Sequence, residues 1–177
     1  MCALKKAVFL DRDGVLCEDT DYITSFEKLH IYPYAREAVE EIHKKGYLAI
    51  VVTNQSGVAR GYLTEEMLNK LNSYLQEKTG VDAIYYCPHL PPEQEEIPPY
   101  RIHCTCRKPG AGMLQKAAAE HGIDLKASYM IGDRESDIRT GKAAGTGTVF
   151  VEGRECSEQP DFIVRNVLEF AKSIEIL

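Results

Sequence analysis

With 177 residues the chain has the size of one domain and enough length to bury a core, so one domain spanning residues 1–177 is expected. A net charge of -6 and a pI near 5.4, with no clustered Lys/Arg stripe, exclude a nucleic-acid-binding surface and leave any anionic ligand to a few local cations. No apolar stretch approaches a membrane span, and Met1-Cys2-Ala3-Leu4-Lys5-Lys6 leads into a run too short and too soon charged for a secretory signal; the expectation is a cytoplasmic monomer without a membrane partner.

In chain order, the first apolar run, Ala7 to Leu10, reads as a buried strand and ends in Asp11-Arg12-Asp13-Gly14. Side chains two apart on a strand-like exit share a face, so Asp11 and Asp13 can converge on one ion or one reacting atom. Taken alone, the same residues also read as an acidic turn. A helical pattern follows at Ala35, Ala38, Val39 and Ile42 and stops at Gly46; the second strand, Leu48 to Val52, runs into a polar loop, Thr53-Asn54-Gln55-Ser56-Gly57. Thr64 is a candidate N-cap for a helix carrying Leu68, Leu71 and Leu75 and ending at Gly80, and Ala83 to Tyr86 reads as the third strand.

From Cys87 to Cys106 the rhythm breaks. This stretch holds five of the eight prolines and no periodic apolar pattern, so order here needs something other than a core. Glu93 to Glu96 reads as a solvated loop face. Beyond it, Arg107-Lys108-Pro109 precedes a helical pattern at Met113, Leu114, Ala117 and Ala118 that stops at Gly122. The fourth strand, Tyr129 to Ile131, leads into Gly132-Asp133-Arg134-Glu135-Ser136-Asp137, where Ser136 can cap a helix. Val149 to Val151, a weaker Phe162 to Val164, and a last helix from about Asn166 to Ile174 complete the chain. Continuous apolar strands interleaved with helices predict an α/β fold, a Rossmann-like parallel sheet covered by helices on both faces, with ligands beyond the carboxyl ends of the strands.

Polar signatures thus follow three predicted strands at the ligand-binding end, and Arg107-Lys108 supplies cations. A phosphate ester repels nucleophiles, so a carboxylate attacks it only if a divalent cation and fixed donors neutralise the phosphoryl oxygens. Asp11 and Asp133 suit a hard cation such as Mg²⁺, and the Thr53 hydroxyl, nearby N–H groups and the Lys108 ammonium suit the transferring group. Asp13 is placed to protonate a leaving oxygen and later to deprotonate water.

Asp11-x-Asp13-Gly14, Thr53, Lys108 and Gly132-Asp133-x-x-x-Asp137 resemble the four ordered motifs of the haloacid dehalogenase superfamily, in its phosphatase branch, over nearly the whole chain. The resemblance implies that Asp11 is phosphorylated, that Asp13 is acid and base, that Mg²⁺ is bound by Asp11, the Asp13 backbone carbonyl and Asp133, and that Asp137 supports the site from outside it. Neither the link from Asp13 to Ala35 nor that from Thr53 to Lys108 has room for a separate cap domain, so an open site is expected.

Cys2, Cys17 and Cys156 are scattered and read as ordinary small residues, whereas Cys87-Pro88-His89 and Cys104-Thr105-Cys106 offer four ligands in two pairs. That set suits a closed, structural Zn²⁺ site of the Cys₃His type that staples the proline-rich loop and aims Arg107 and Lys108. Reduced cysteines clustered by chance, or a redox pair, are the alternatives, and His103 is the other nitrogen available. Tyr85-Tyr86-Cys87-Pro88-His89, Cys104-Thr105-Cys106-Arg107-Lys108-Pro109 and Thr53 to Gly61 are similar to the heptose bisphosphate phosphatases, while histidinol-phosphatases share the zinc loop and the aspartates. Arg60 fits an extra anion on such a small phosphorylated sugar, alongside Asn54, Gln55, Ser56 and Arg107. The same resemblance points to Asp19, Thr20, Asp21 and Tyr22 as sugar contacts, although the family pattern has His-Gly where this chain reads Thr20-Asp21. A zinc-stapled binding module without catalysis is the reading from a different class.

Overall fold

In a computed structural model the described residues are 4–94 and 98–175; Cys2 and the Glu95-Glu96 half of the acidic run lie outside them. Six strands, β1 (Lys6–Leu10), β2 (Tyr47–Asn54), β3 (Ala83–Cys87), β4 (Tyr129–Gly132), β5 (Gly147–Val151) and β6 (Phe162–Val164), form one sheet in the order β3-β2-β1-β4-β5-β6, with every pair parallel. The helices are α1 (Ala35–Lys44), α2 (Glu65–Thr79), α3 (Gly112–His121), α4 (Glu135–Ala144) and α5 (Val167–Ser173).

Both faces of the sheet are buried at its central strands β1, β2, β4 and β5, which is why these are apolar at successive positions rather than alternately. Val8 and Leu10 face one core with Ala38, Val39 and Ile42 of α1, Leu71 of α2 and Phe170 of α5. Ala7 and Phe9 face the other with Met113, Leu114 and Ala117 of α3. The helix limits follow their signals: Thr64 Oγ1 accepts from the Met67 N–H at 3.2 Å, Asn166 Oδ1 accepts from the Glu169 N–H at 3.0 Å, and Gly80 and Gly122 end α2 and α3.

Two elements depart from the sequence reading. β2 runs through Thr53 and Asn54, assigned above to a loop, because β3 supplies partners in register, Thr53 with Tyr86 and Asn54 with Cys87. α4 carries little apolar periodicity; its buried residues are Asp137, Ile138, Thr140 and Gly141, and a Cβ at Gly141 would come 2.7 Å from Thr148 Cγ2, so close approach to the sheet replaces a wide apolar face. Its N-cap is Arg134 rather than Ser136, and Asp137 Oδ2 accepts the Arg134 N–H at 3.0 Å.

The direction of strand order reverses between β1 and β4. In a doubly wound sheet that reversal opens a crevice at the carboxyl ends of the strands. Asp11 leaves β1 and Asp133 leaves β4 there, and the Asp11 N–H donates to Ile131 O at 3.0 Å across the gap. Among the described residues, no helix is long and apolar enough to cross a membrane.

Candidate active site

A cavity of about 310 Å³ opens at this reversal, within the size range of small-molecule sites. Its lining brings together Asp11, Asp13, Thr53 and Lys108, joined by Asn54, Gln55, Ser56 and Arg107 and by Asp19, Asp21 and Tyr22 from the predicted sugar-contact segment. Thr20 and Arg60 are not among the lining residues. Arg60 closes the turn after β2, its N–H donating to Ser56 O at 3.0 Å. Two polar side chains that sequence reading did not assign to substrate, Arg134 and Ser136, complete the wall. The signal for Arg134 was its place directly after Asp133 at a strand end.

Lys108, only 4% exposed, is the hinge of the electrostatics. Its Nζ lies 2.9 Å from Asp11 Oδ1 and 2.6 Å from Asp137 Oδ1, and donates to Val52 O at 3.1 Å. Burial works against the charge, but Asp11 and Asp137 hold the ammonium above the usual lysine range. Burial pushes the Asp11 carboxyl up to about 7; Lys108 opposes the shift, and Asp137 and Asp13 add to it. Asp13 moves the other way. Burial there is outweighed by the Arg12 guanidinium, with Gln55 and Cys17 also donating, and its carboxyl is held below the usual range. Cys17, read above as an ordinary small residue, thus donates to Asp13 Oδ1 at 3.4 Å.

The remaining polar residues largely position others. Asn54 clamps the Lys108 backbone, accepting its N–H at 3.0 Å and donating to its carbonyl at 3.2 Å. Gln55 Nε2 donates to Asp13 Oδ2 at 3.0 Å and Thr53 Oγ1 at 2.9 Å. At the rim, Asp19 Oδ2 accepts from Arg134 at 2.5 Å and Arg154 at 2.7 Å, and Arg154 Nε also reaches Asp133 Oδ2 at 2.9 Å. Asp21 sits at φ 65°, the left-handed region that glycine adopts freely and that Asp tolerates better than most residues, so the departure from His-Gly keeps the local backbone accessible. Tyr22 packs edge-on against Tyr62 with centroids 4.9 Å apart.

The carboxylates fit a hard divalent cation. Asp11, Asp133 and Asp137 each bring an oxygen within 4.8 Å of the others, and Asp133 Oδ1 is buried without a hydrogen-bond partner. Among the described residues Lys108 offsets this charge from within, on Asp11 and Asp137, and Arg154 from the rim, on Asp133. Asp137 uses one oxygen on Lys108 and the other on the Arg134 N–H, which leaves Asp11 and Asp133 as the better ligands. Gly14 makes the space: at φ 85°, a Cβ there would lie 2.3 Å from Asp133 Oδ2.

The loop after β3 gathers its four ligands as the spacing suggests. Sγ of Cys106 is 3.2 Å from that of Cys87, 3.3 Å from that of Cys104 and 3.4 Å from His89 Nδ1. Three sulfurs and one imidazole at these separations surround a point close to the roughly 2.3 Å Zn–S and 2.0 Å Zn–N bond lengths. His103 faces away and contacts Glu93 Oε1 at 3.1 Å, so His89 is the nitrogen brought to the cluster. Arg107 Nη1 donates to His89 O at 3.1 Å, coupling the cluster to the cavity wall. On the other side Glu65 accepts from the Tyr86 and Tyr100 hydroxyls at 3.0 and 2.7 Å.

Against known proteins, the HAD-hydrolase-like family profile matches residues 105–170. The chain is 44% identical over 150 residues to a D-glycero-beta-D-manno-heptose-1,7-bisphosphate 7-phosphatase of Haemophilus ducreyi, covering 81% of each chain. It is 40% identical over 147 residues to the protein of that name in Escherichia coli K12, covering 80% of this chain and 76% of the relative. In structure it is similar to the D,D-heptose 1,7-bisphosphate phosphatase of B. bronchiseptica complexed with magnesium and phosphate, with TM-score 0.79, 26% identity, and 94% and 96% of the two chains covered.

Proposed function

We propose, from the premise that this chain belongs to the haloacid dehalogenase-like hydrolases and is a phosphoric monoester hydrolase, that it removes the 7-phosphate of D-glycero-D-manno-heptose 1,7-bisphosphate through an aspartyl-phosphate intermediate. The observation that carries this reading is the meeting of Asp11, Asp13, Thr53 and Lys108 around one cavity, in a chain whose relatives carry that name.

In this reading Asp11 attacks phosphorus while Thr53 Oγ1 and the Lys108 ammonium hold the phosphoryl oxygens. Asp13, held ionised by Arg12 in the ligand-free site, takes up a proton with the bound substrate and gives it to the sugar oxygen as the bond to phosphorus breaks. Water, losing a proton to Asp13, then displaces phosphate from Asp11. Mg²⁺, held by Asp11, the Asp13 carbonyl and Asp133, supplies charge neutralisation at the phosphoryl group when bound. Arg107 and Arg134 face the part of the substrate that is not hydrolysed, with Asp19, Asp21 and Tyr22 near the sugar. Zn²⁺ on Cys87, His89, Cys104 and Cys106 is structural, since four protein ligands leave no open position. The chain acts as one domain without a separate cap, and as a monomer. Cys17 and Cys156, outside the zinc set and without a disulfide, fit a reducing compartment, in keeping with a cytoplasmic enzyme.

The test compares phosphate release from heptose 1,7-bisphosphate and histidinol phosphate, with Mg²⁺ and with a chelator, and locates the remaining phosphate by ³¹P NMR. The reading expects Mg²⁺-dependent turnover of the bisphosphate and a product phosphorylated at position 1. Faster turnover of histidinol phosphate would replace the substrate, and no release from either ester would favour a binding module.

A further inference from the structure

We propose that Arg12, the residue between the two aspartates, is a positioning residue that holds the Asp13 carboxylate in register for proton transfer; this rests on the phosphatase reading above. Arg12 is 0% exposed and is the largest fully enclosed side chain among the described residues. A guanidinium withdrawn from water is tolerated only with a full set of partners, and here nearly every partner leads to Asp13. Nε and Nη2 grip the two Asp13 oxygens at 2.7 and 3.1 Å. Nη2 also donates to Gln55 Oε1 at 2.9 Å, and Gln55 Nε2 returns to Asp13 Oδ2 at 3.0 Å and to Thr53 Oγ1 at 2.9 Å. Nη1 anchors the assembly to α2 through Asn72 Oδ1 at 3.0 Å.

This closed ring of Arg12, Asp13 and Gln55 sets where the carboxylate sits relative to Thr53. Arg12 is not among the cavity-lining residues, whereas Asp13 is, so Arg12 acts through Asp13. Proton transfer requires the acid within hydrogen-bond reach of the leaving oxygen, and a planar fork fixes a carboxylate in a way that the single ammonium of lysine does not.

The experiment is rapid-quench measurement of first-turnover leaving-group release in wild type, Arg12→Lys and Asn72→Ala. One ester is the sugar phosphate, whose alkoxide needs a proton; the other is 4-nitrophenyl phosphate, whose phenolate leaves without one. For Arg12→Lys the expected result is about 10²-fold slower release of the sugar alcohol, with nitrophenolate release within about threefold of wild type. KM and half-saturating Mg²⁺ should stay within about twofold. Asn72→Ala, which loses only the remote anchor, should show the same selectivity at smaller amplitude. Equal losses on both esters, or a shift in metal saturation, would make Arg12 a scaffold of the whole site and overturn the proposal. Should Arg12→Lys fail to fold, an unchanged ratio between the two esters in Asn72→Ala overturns it equally. Wild type inert on both esters would overturn the phosphatase reading itself, and the positioning role with it.

Discussion

Asp11 and Asp13 sit two residues apart and are driven in opposite directions, because one is buried among carboxylates and the other is gripped by a guanidinium. For Asp11 the consequence is measurable without substrate. A folded carboxyl titrating near 7 instead of 3.8 keeps its proton where the unfolded chain has lost it, so metal-free stability falls as pH rises through that window and stays lowered above it. Asp11→Asn cannot ionise. It should abolish turnover, yet denature in EDTA with a flatter pH dependence and a higher Tm at pH 8 than wild type, by about 2–4 °C per kcal/mol relieved. Parallel pH profiles for the two proteins would refute the assignment. Specificity is a second residue-scale matter. Arg134 lines the cavity while Arg60 does not, so Arg134→Ala should lower kcat/KM for the bisphosphate by about 1.5–3 kcal/mol, one to two decades, and Arg60→Ala by less than about threefold. The reverse order would restore Arg60 as the recognition residue.

At the scale of elements, the segment between β3 and α3 departs most from the rest. Among its described residues Leu90 is buried and pairs with Arg101, and the segment is further tied by the Cys87, His89, Cys104 and Cys106 cluster, by the Glu65 contacts to Tyr86 and Tyr100, and by Asn54 on the Lys108 backbone. Losing the cluster should therefore loosen the loop before it unfolds the sheet. Cys104→Ser, or a chelator strong enough to strip zinc, should speed limited proteolysis within residues 88–103 while far-ultraviolet circular dichroism stays near wild type. Activity should fall because Arg107 and Lys108 follow the cluster directly. Unchanged proteolysis in protein shown by metal analysis to lack zinc would exclude the staple.

For the whole molecule, cation binding and stability are linked, because the crevice between β1 and β4 holds more carboxylate than Lys108 offsets. Saturating Mg²⁺ at about 100 times its Kd should stabilise the fold by about 2.7 kcal/mol, or roughly 5–10 °C in Tm. The shift should be larger at pH 8 than at pH 5, since below about 7 a proton on Asp11 competes with the ion. A shift independent of pH would place the cation elsewhere. The sequence by itself determined the α/β class, five of the six strands to within two residues of their ends and the sixth outright, and the convergence of Asp11, Asp13, Thr53 and Lys108, since these follow from local pattern and from the rule that ligands meet at strand ends. Tertiary structure alone decided the rest. Thr53 and Asn54 became strand residues because β3 paired with them, the helix after Asp133 took Arg134 rather than Ser136 as its N-cap, and Cys17 became a donor to Asp13. Arg12 stands between the two aspartates in the sequence, but its enclosure and its grip on Asp13 come from the fold, and the turn after β2 leaves Arg60 off the lining of the cavity. Each of these turns on contacts between residues distant in the chain or on the direction a side chain takes, and neither is written in local spacing.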